Sequence, residues 1–266
     1  MLLRNGLLAP VSLVFLAGAI VMMLFVILSG VKPTSPLNAT YFLRADTSDI
    51  TGARATSQWA YFYICSPGNT ECGGAWPDPP VGWAWDADAS GVPPGLGGGH
   101  GGGTTSAYYY YLWRFGWVFY LMGFALAVGA FLGGFLACLG RLGAALSGLA
   151  AGSALFFFSL AAALMTATFV KMRDAFRADG RDATLGRYAF GFTWAAWTCL
   201  LISTVLFFLG VLASGSGSSR RDRNMAAASS AHAAGGGRRR RGRFGGRREP
   251  SIRNSVGSHR VKEDYA

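Results

Sequence analysis

Apolar positions along the chain are gathered into four long blocks rather than spread at helix or strand periodicity. No Asp, Glu, Lys or Arg falls within residues 5–31, 115–140, 142–170 or 188–219. Each block holds at least the ~20 apolar residues that cross about 30 Å of hydrocarbon. A core helix of a globular protein would show a polar face every three or four residues, and these blocks show none. The pattern predicts four membrane-spanning helices over 7–28, 115–138, 146–170 and 190–212. The first apolar run, "LLAPVSLVFLAGAIVMMLFVIL", exceeds the 7–15 residues of a cleaved signal core, so it is read as a retained anchor.

Between the blocks the pattern changes. Residues 29–114 form a long loop, 139–145 a tight turn, 171–189 a second loop and 213–266 a tail. In the long loop, "TYFLRAD" and "SQWAYFYI" are aromatic and strand-like, separated by the polar turn "TSDITGAR". Residues 73–107 then turn to Gly and Pro and are expected to be a mobile linker without a core, with His100 solvated inside a glycine run. The second loop, "KMRDAFRADGRDATLGRY", reads as the third span continuing as a short helix, with Gly180 or Gly186 reversing the chain. The fold class predicted is an all-α membrane protein: a four-helix bundle with a small β-rich loop and a disordered basic tail.

Charge sets the expected orientation. The formal net charge is +11, yet the spans carry none of it. Arg4, Arg141 and thirteen basic residues of the tail fall on one side. The second loop carries five positives, Lys171, Arg173, Arg177, Arg181 and Arg187, and argues the other way. The tail and the inner turn outweigh it, which places 1–6 and 213–266 in the cytosol. Loop 29–114 then faces an oxidising exterior, where Cys65 and Cys72 form a disulfide around "SPGNTE". Two thiols with no neighbouring His or Cys do not complete a zinc site. Asn38-Ala39-Thr40 is a glycosylation sequon on that side.

Several residues have candidate roles. Ala125, Gly129, Gly133 and Ala137 repeat every four residues in the second span, and Ala144, Gly148 and Gly152 do so in the third. Small residues at that spacing admit close helix approach; the two stripes are expected to face each other, although they also allow association of copies. Tyr108 to Tyr111, Trp113, Trp117 and Tyr120, with Trp194 and Trp197, are expected to form an interfacial aromatic belt. In the tail, Arg238, Arg239, Arg240, Arg241, Arg243, Arg247 and Arg248 form a cluster suited to anionic inner-leaflet lipid. Ser251 and Ser255 follow arginines, and phosphorylating them would reverse that attraction. A solvated tail without a role is the plainer alternative. RNA binding by one "RGRFGGRR" segment tethered to a membrane is not expected, so no nucleic-acid partner is assigned. Cys138 lies where palmitoylation occurs, and Cys199 reads as packing.

No nucleophile–base pair, metal motif or phosphate loop is present in the sequence, and the spans lack the ionisable groups of proton or ion pathways. Neither an enzyme nor a cofactor is expected.

The blocks "NATYFLRADTSDI", "TSQWAYFYIC", "ECGGAWPDPP", "YYYLWRF" and "RDAFRADGRDATLGRYAFGFTWAAW" keep an order and spacing that resembles the fungal Sur-seven/PalI tetraspan family over about residues 7–212. The family's outer loop is claudin-like, a Trp followed by a Cys pair, which here maps to Trp59, Cys65 and Cys72. The glycine-rich insertion after Cys72 and the Arg-rich tail depart from the pattern. The resemblance implies a plasma-membrane protein of eisosomes, linked to endocytosis, cell-wall integrity and lipid organisation, with other cortical proteins as partners. A PalI-type accessory of ambient-pH signalling and a claudin-like adhesion or barrier protein are the alternatives.

Overall fold

A computed structural model describes residues 2–137 and 141–235. Four helices dominate it: α1 (Leu2–Ile27), α2 (Ala107–Ala137), α3 (Arg141–Ala178) and α4 (Arg187–Gly235). Each contains a stretch long and apolar enough to cross a membrane: Pro10–Ile27, Ala107–Phe135, Ala145–Ala178 and Arg187–Gly210. The described residues through Ser219 form one compact unit, and 220–235 belong to a second. Helix α4 continues to Gly235, beyond the 213 at which the sequence predicts an unstructured tail; the alanines of 226–234 favour helix there. The tail arginines 238–248, Ser251, Ser255 and Cys138 lie outside the described residues.

Within the first unit, α1 lies against α2, and α2 lies against α3. Helix α4 closes the ring. Ser203 donates to the Ser12 carbonyl of α1 at 2.9 Å, and Trp197 Nε1 donates to Ser159 Oγ of α3 at 2.8 Å. Most other span hydroxyls turn back on their own helix: Thr166 onto Ala162 O, Thr168 onto Leu164 O, Thr193 onto Ala189 O. These hydroxyls are thereby satisfied within the apolar stretches, whereas the Ser147 and Tyr120 hydroxyls are buried without a hydrogen-bond partner among the described residues.

Small residues do mediate close approach, but not along the predicted stripe. A Cβ on Gly123 would lie 3.0 Å from Phe158 Cβ and 3.2 Å from its Cα, so α2 and α3 nearly touch there. Gly116, Ala127, Ala130 and Gly134 continue that buried side of α2. Ala125 and Gly129 are exposed, and Gly133 is half-buried beside Ser147. Gly148 and Gly152 pack towards Phe207, Phe208 and Thr204 of α4 rather than towards α2. The side chains of Ala137 and Ala144 are outside the described set. The cause is angular: at 100° per residue a strict four-residue repeat drifts 40° per step, and only alternating three- and four-residue steps hold one face.

The two loops build a four-stranded antiparallel sheet of order β3-β2-β1-β4, from β1 (Leu43–Asp46), β2 (Thr56–Trp59), β3 (Ile64–Cys65) and β4 (Ala183–Leu185). The first two strands fall in the predicted segments. β4 was not predicted: the second loop supplies an edge strand, pairing Leu43 with Leu185 and Ala45 with Ala183. Helix α3 runs to Ala178, as the sequence suggested, and Gly180 reverses the chain at φ +79°. The chain is thus mostly helical, with a sheet-bearing cap on one end of the bundle.

Candidate functional site: the disulfide-tied cap and its seat on the spans

Cys65 and Cys72 are bonded, with Cα atoms 4.0 Å apart. The bridge closes a turn in which Ser66 and Thr70 pair across an isolated bridge. Asn69, at the tip with φ +52°, turns its side chain inwards, where it is buried. Its Nδ2 donates to the Leu37 and Thr40 carbonyls, and its Oδ1 accepts from Gln58 Nε2. The disulfide turn is therefore latched to the chain leaving α1. Sequence reasoning missed Asn69; an Asn after Pro-Gly marks a left-handed turn, but its carbonyl partners have no sequence signature. Asn38 sits half-buried in the 3-10 turn Leu37–Ala39, its N–H donating to Thr34 O at 2.9 Å. The sequon's Thr40 is buried and donates to Pro36 O.

Trp59 is the centre of the cap. It is buried, its Nε1 donates to Val81 O at 2.9 Å, and its ring meets Trp85 edge-on and Phe176 of α3 at 5.9 Å. β2 ends at Trp59, and the residues that follow drop onto the spans. Tyr61 donates to the Trp117 carbonyl at 2.8 Å, Trp117 Nε1 returns a bond to Tyr61 O at 3.3 Å, and the rings stack at 5.5 Å. Burial, then the neighbouring Tyr120 and Asp78, raises the Tyr61 hydroxyl well above its ordinary range, so it stays a neutral donor. Phe42 stacks on Phe169 at 4.9 Å and lies edge-on to Trp113 and Phe190. The predicted aromatic belt accordingly divides. Tyr108, Tyr111 and Trp194 are exposed. Trp113, Trp117 and Tyr120 are buried under the cap instead of lying in lipid, because loop carbonyls give their N–H groups and rings a place to pack.

The Gly/Pro segment is not a free linker. Val81, Trp85 and Leu96 are buried in the core. Gly82 N–H donates to Thr105 Oγ1 at 3.0 Å, Trp85 Nε1 to Thr104 O at 3.1 Å, and Trp113 Nε1 of α2 to Pro79 O at 3.0 Å. A Cβ on Gly82 would lie 2.2 Å from Thr104 O, so glycine here permits contact rather than mobility. His100 is likewise not simply solvated. Its backbone pairs with Thr105, and its ring lies 5.3 Å from Tyr110 and 5.6 Å from Tyr111. Composition misled because Val81, Trp85 and Leu96 supply a core that their glycine-rich surroundings conceal.

Two charged contacts pin the cap. Asp78, at φ +53° and 8 % exposed, pairs with Arg114 of α2, and its other oxygen is buried without a hydrogen bond. Burial raises its carboxyl above the ordinary 3.8, against the lowering pull of Arg114. Arg181, from the second loop, donates to Asp179 and to the Gly91 carbonyl, each at 2.9 Å. No cluster of three metal-ligating side chains occurs among the described residues.

Four apolar helices under a disulfide-tied, sheet-bearing cap define a multi-pass membrane protein of the tetraspan class. The SUR7/PalI family model matches residues 8–206, and the chain belongs to that family. It is 33% identical over 209 residues to Protein SUR7 of Candida albicans, covering 76% of this chain and 74% of the relative. It is 30% identical over 197 residues to SUR7 family protein FMP45 of Saccharomyces cerevisiae, 72% and 62% respectively. It is also 27% identical over 201 residues to the uncharacterized plasma membrane protein YNL194C of the same yeast, 73% and 65%.

Proposed function

We propose that the chain is a non-enzymatic organiser of the plasma membrane, a structural component of eisosome-type cortical compartments that affects endocytosis, cell-wall integrity and lipid organisation. The observation that carries this reading is the interlock of cap and bundle. Trp59, Tyr61, Phe42 and Trp113 fix loop to helices through rings and N–H bonds, making one rigid block whose outer helix faces are apolar. Such a block suits lateral packing with lipids and other cortical proteins rather than turnover of a substrate. Family membership and a relative described as a plasma membrane protein support the location. In this reading both termini are cytosolic, the cap and Asn38 face outwards, and Arg238–Arg241, Arg243, Arg247 and Arg248 hold anionic inner-leaflet lipid until Ser251 or Ser255 is phosphorylated. Imaging a tagged chain beside a marker of membrane furrows tests it. Immobile cortical patches coincident with the marker are expected; a uniform, freely diffusing membrane signal would overturn it.

A further inference from the structure

We infer that the cap carries a small glycan-binding cleft. A hollow of about 270 Å³ opens between the turn before β2, the residues following Cys72 and the Gly/Pro segment. Two indoles line it, Trp76 and Trp83, with ring centroids 5.5 Å apart and planes at 89°. They are 54% and 43% exposed, whereas Trp59 and Trp85 of the same cap are buried. Beyond their edge-to-face contact with each other, about half of each side chain is left open to the surroundings. The Trp83 ring is fixed by its Nε1 donating to Gly101 O at 2.9 Å, and the Trp76 backbone by its amide N–H donating to Phe62 O at 3.2 Å. A Cβ on Gly74 would sit 3.2 Å from Trp76 Nε1, so glycine gives that edge room. Arg54 also lines the hollow, anchored by its own bond to Ile64 O at 2.8 Å.

Open indole faces and a planar guanidinium are complementary to a pyranose, whose C–H face stacks on an aromatic ring while its hydroxyls accept from guanidinium N–H donors. The volume lies just below that of ligand clefts, about 300–1,000 Å³, and suits one sugar ring of a longer chain. The cation on the wall selects against a quaternary ammonium group, which the aromatic rings alone would favour. Indoles that anchor a membrane project from its interfacial belt; these two line a concavity. The ligand class is thus a neutral or acidic oligosaccharide, a role beyond the lateral organisation proposed above and independent of it.

The test uses the full chain in phosphatidylcholine nanodiscs, which contain no sugar detergent. Hexamers of β-1,3-glucose, β-1,4-N-acetylglucosamine, α-mannose and α-1,4-galacturonate are titrated by calorimetry, with phosphocholine as comparator. At least one hexamer should bind saturably, and Trp76→Ala and Trp83→Ala should each weaken it about tenfold or more, with Trp194→Ala unchanged. On the unmutated chain, the bound hexamer should shield Trp76 and Trp83 from N-bromosuccinimide oxidation, read by peptide mass spectrometry. That readout needs no variant to fold. Absence of saturable binding to all four hexamers, binding of phosphocholine in their place, or oxidation of both indoles unaltered by a bound hexamer would each overturn the proposal.

Discussion

Trp59 acts through two features that can be separated by mutation: a ring wedged between Trp85 and Phe176, and an N–H that satisfies Val81 O. Trp59→Phe keeps most of the ring and orphans a buried carbonyl, and should cost about 1–3 kcal/mol. Trp59→Ala adds a cavity and should cost about 3–5 kcal/mol. Denaturant titration of the purified chain, followed by near-ultraviolet circular dichroism, separates the two. Asp78 makes a pH prediction. Its folded carboxyl titrates above 3.8, so the folded state holds that proton more tightly than the unfolded chain. The contribution is fully present below 3.8 and is lost as pH rises through the folded value. Asp78→Asn should flatten that part of the profile of melting midpoint against pH; an unchanged profile would remove Asp78 from the account. The Cys pair was legible from its turn and its place in the outer loop, and Trp59 from the claudin-like resemblance. Their partners were not, since Val81 O and Leu37 O are backbone atoms that any residue could supply.

At the scale of elements, α2 has two glycine faces that are used unequally. Gly123 leaves space that Phe158 fills to 3.0 Å, whereas a Cβ on Gly129 meets nothing within 4 Å among the described residues. Gly123→Leu should destabilise the bundle by about 1–3 kcal/mol through overpacking, while Gly129→Leu should leave its thermal midpoint within error. Equal effects would return the packing face to the four-residue stripe. The existence of the spans was legible because hydrocarbon thickness imposes length and apolarity together. Which face packs was not, because every face of such a helix is apolar. β4 escaped notice for another reason: three residues, Ala183–Leu185, are too few for alternation to register, and only pairing with β1 makes them a strand.

At the scale of the whole first unit, both loops close over one end of the bundle as a single cap. The disulfide turn, the edge strand β4 and the Gly/Pro segment each bond to a different neighbour. Cys65→Ser or Cys72→Ser removes a small-loop crosslink and should cost about 2.5 kcal/mol by the chain-entropy estimate. The most direct measurement is amide hydrogen exchange of the full chain in nanodiscs. Amides of Trp83, Trp85, Leu96, Thr105 and Ser106 donate to carbonyls within the cap, and should exchange as slowly as those of β1 and β2. Exchange across 76–106 at the rate of an unstructured peptide would contradict the account.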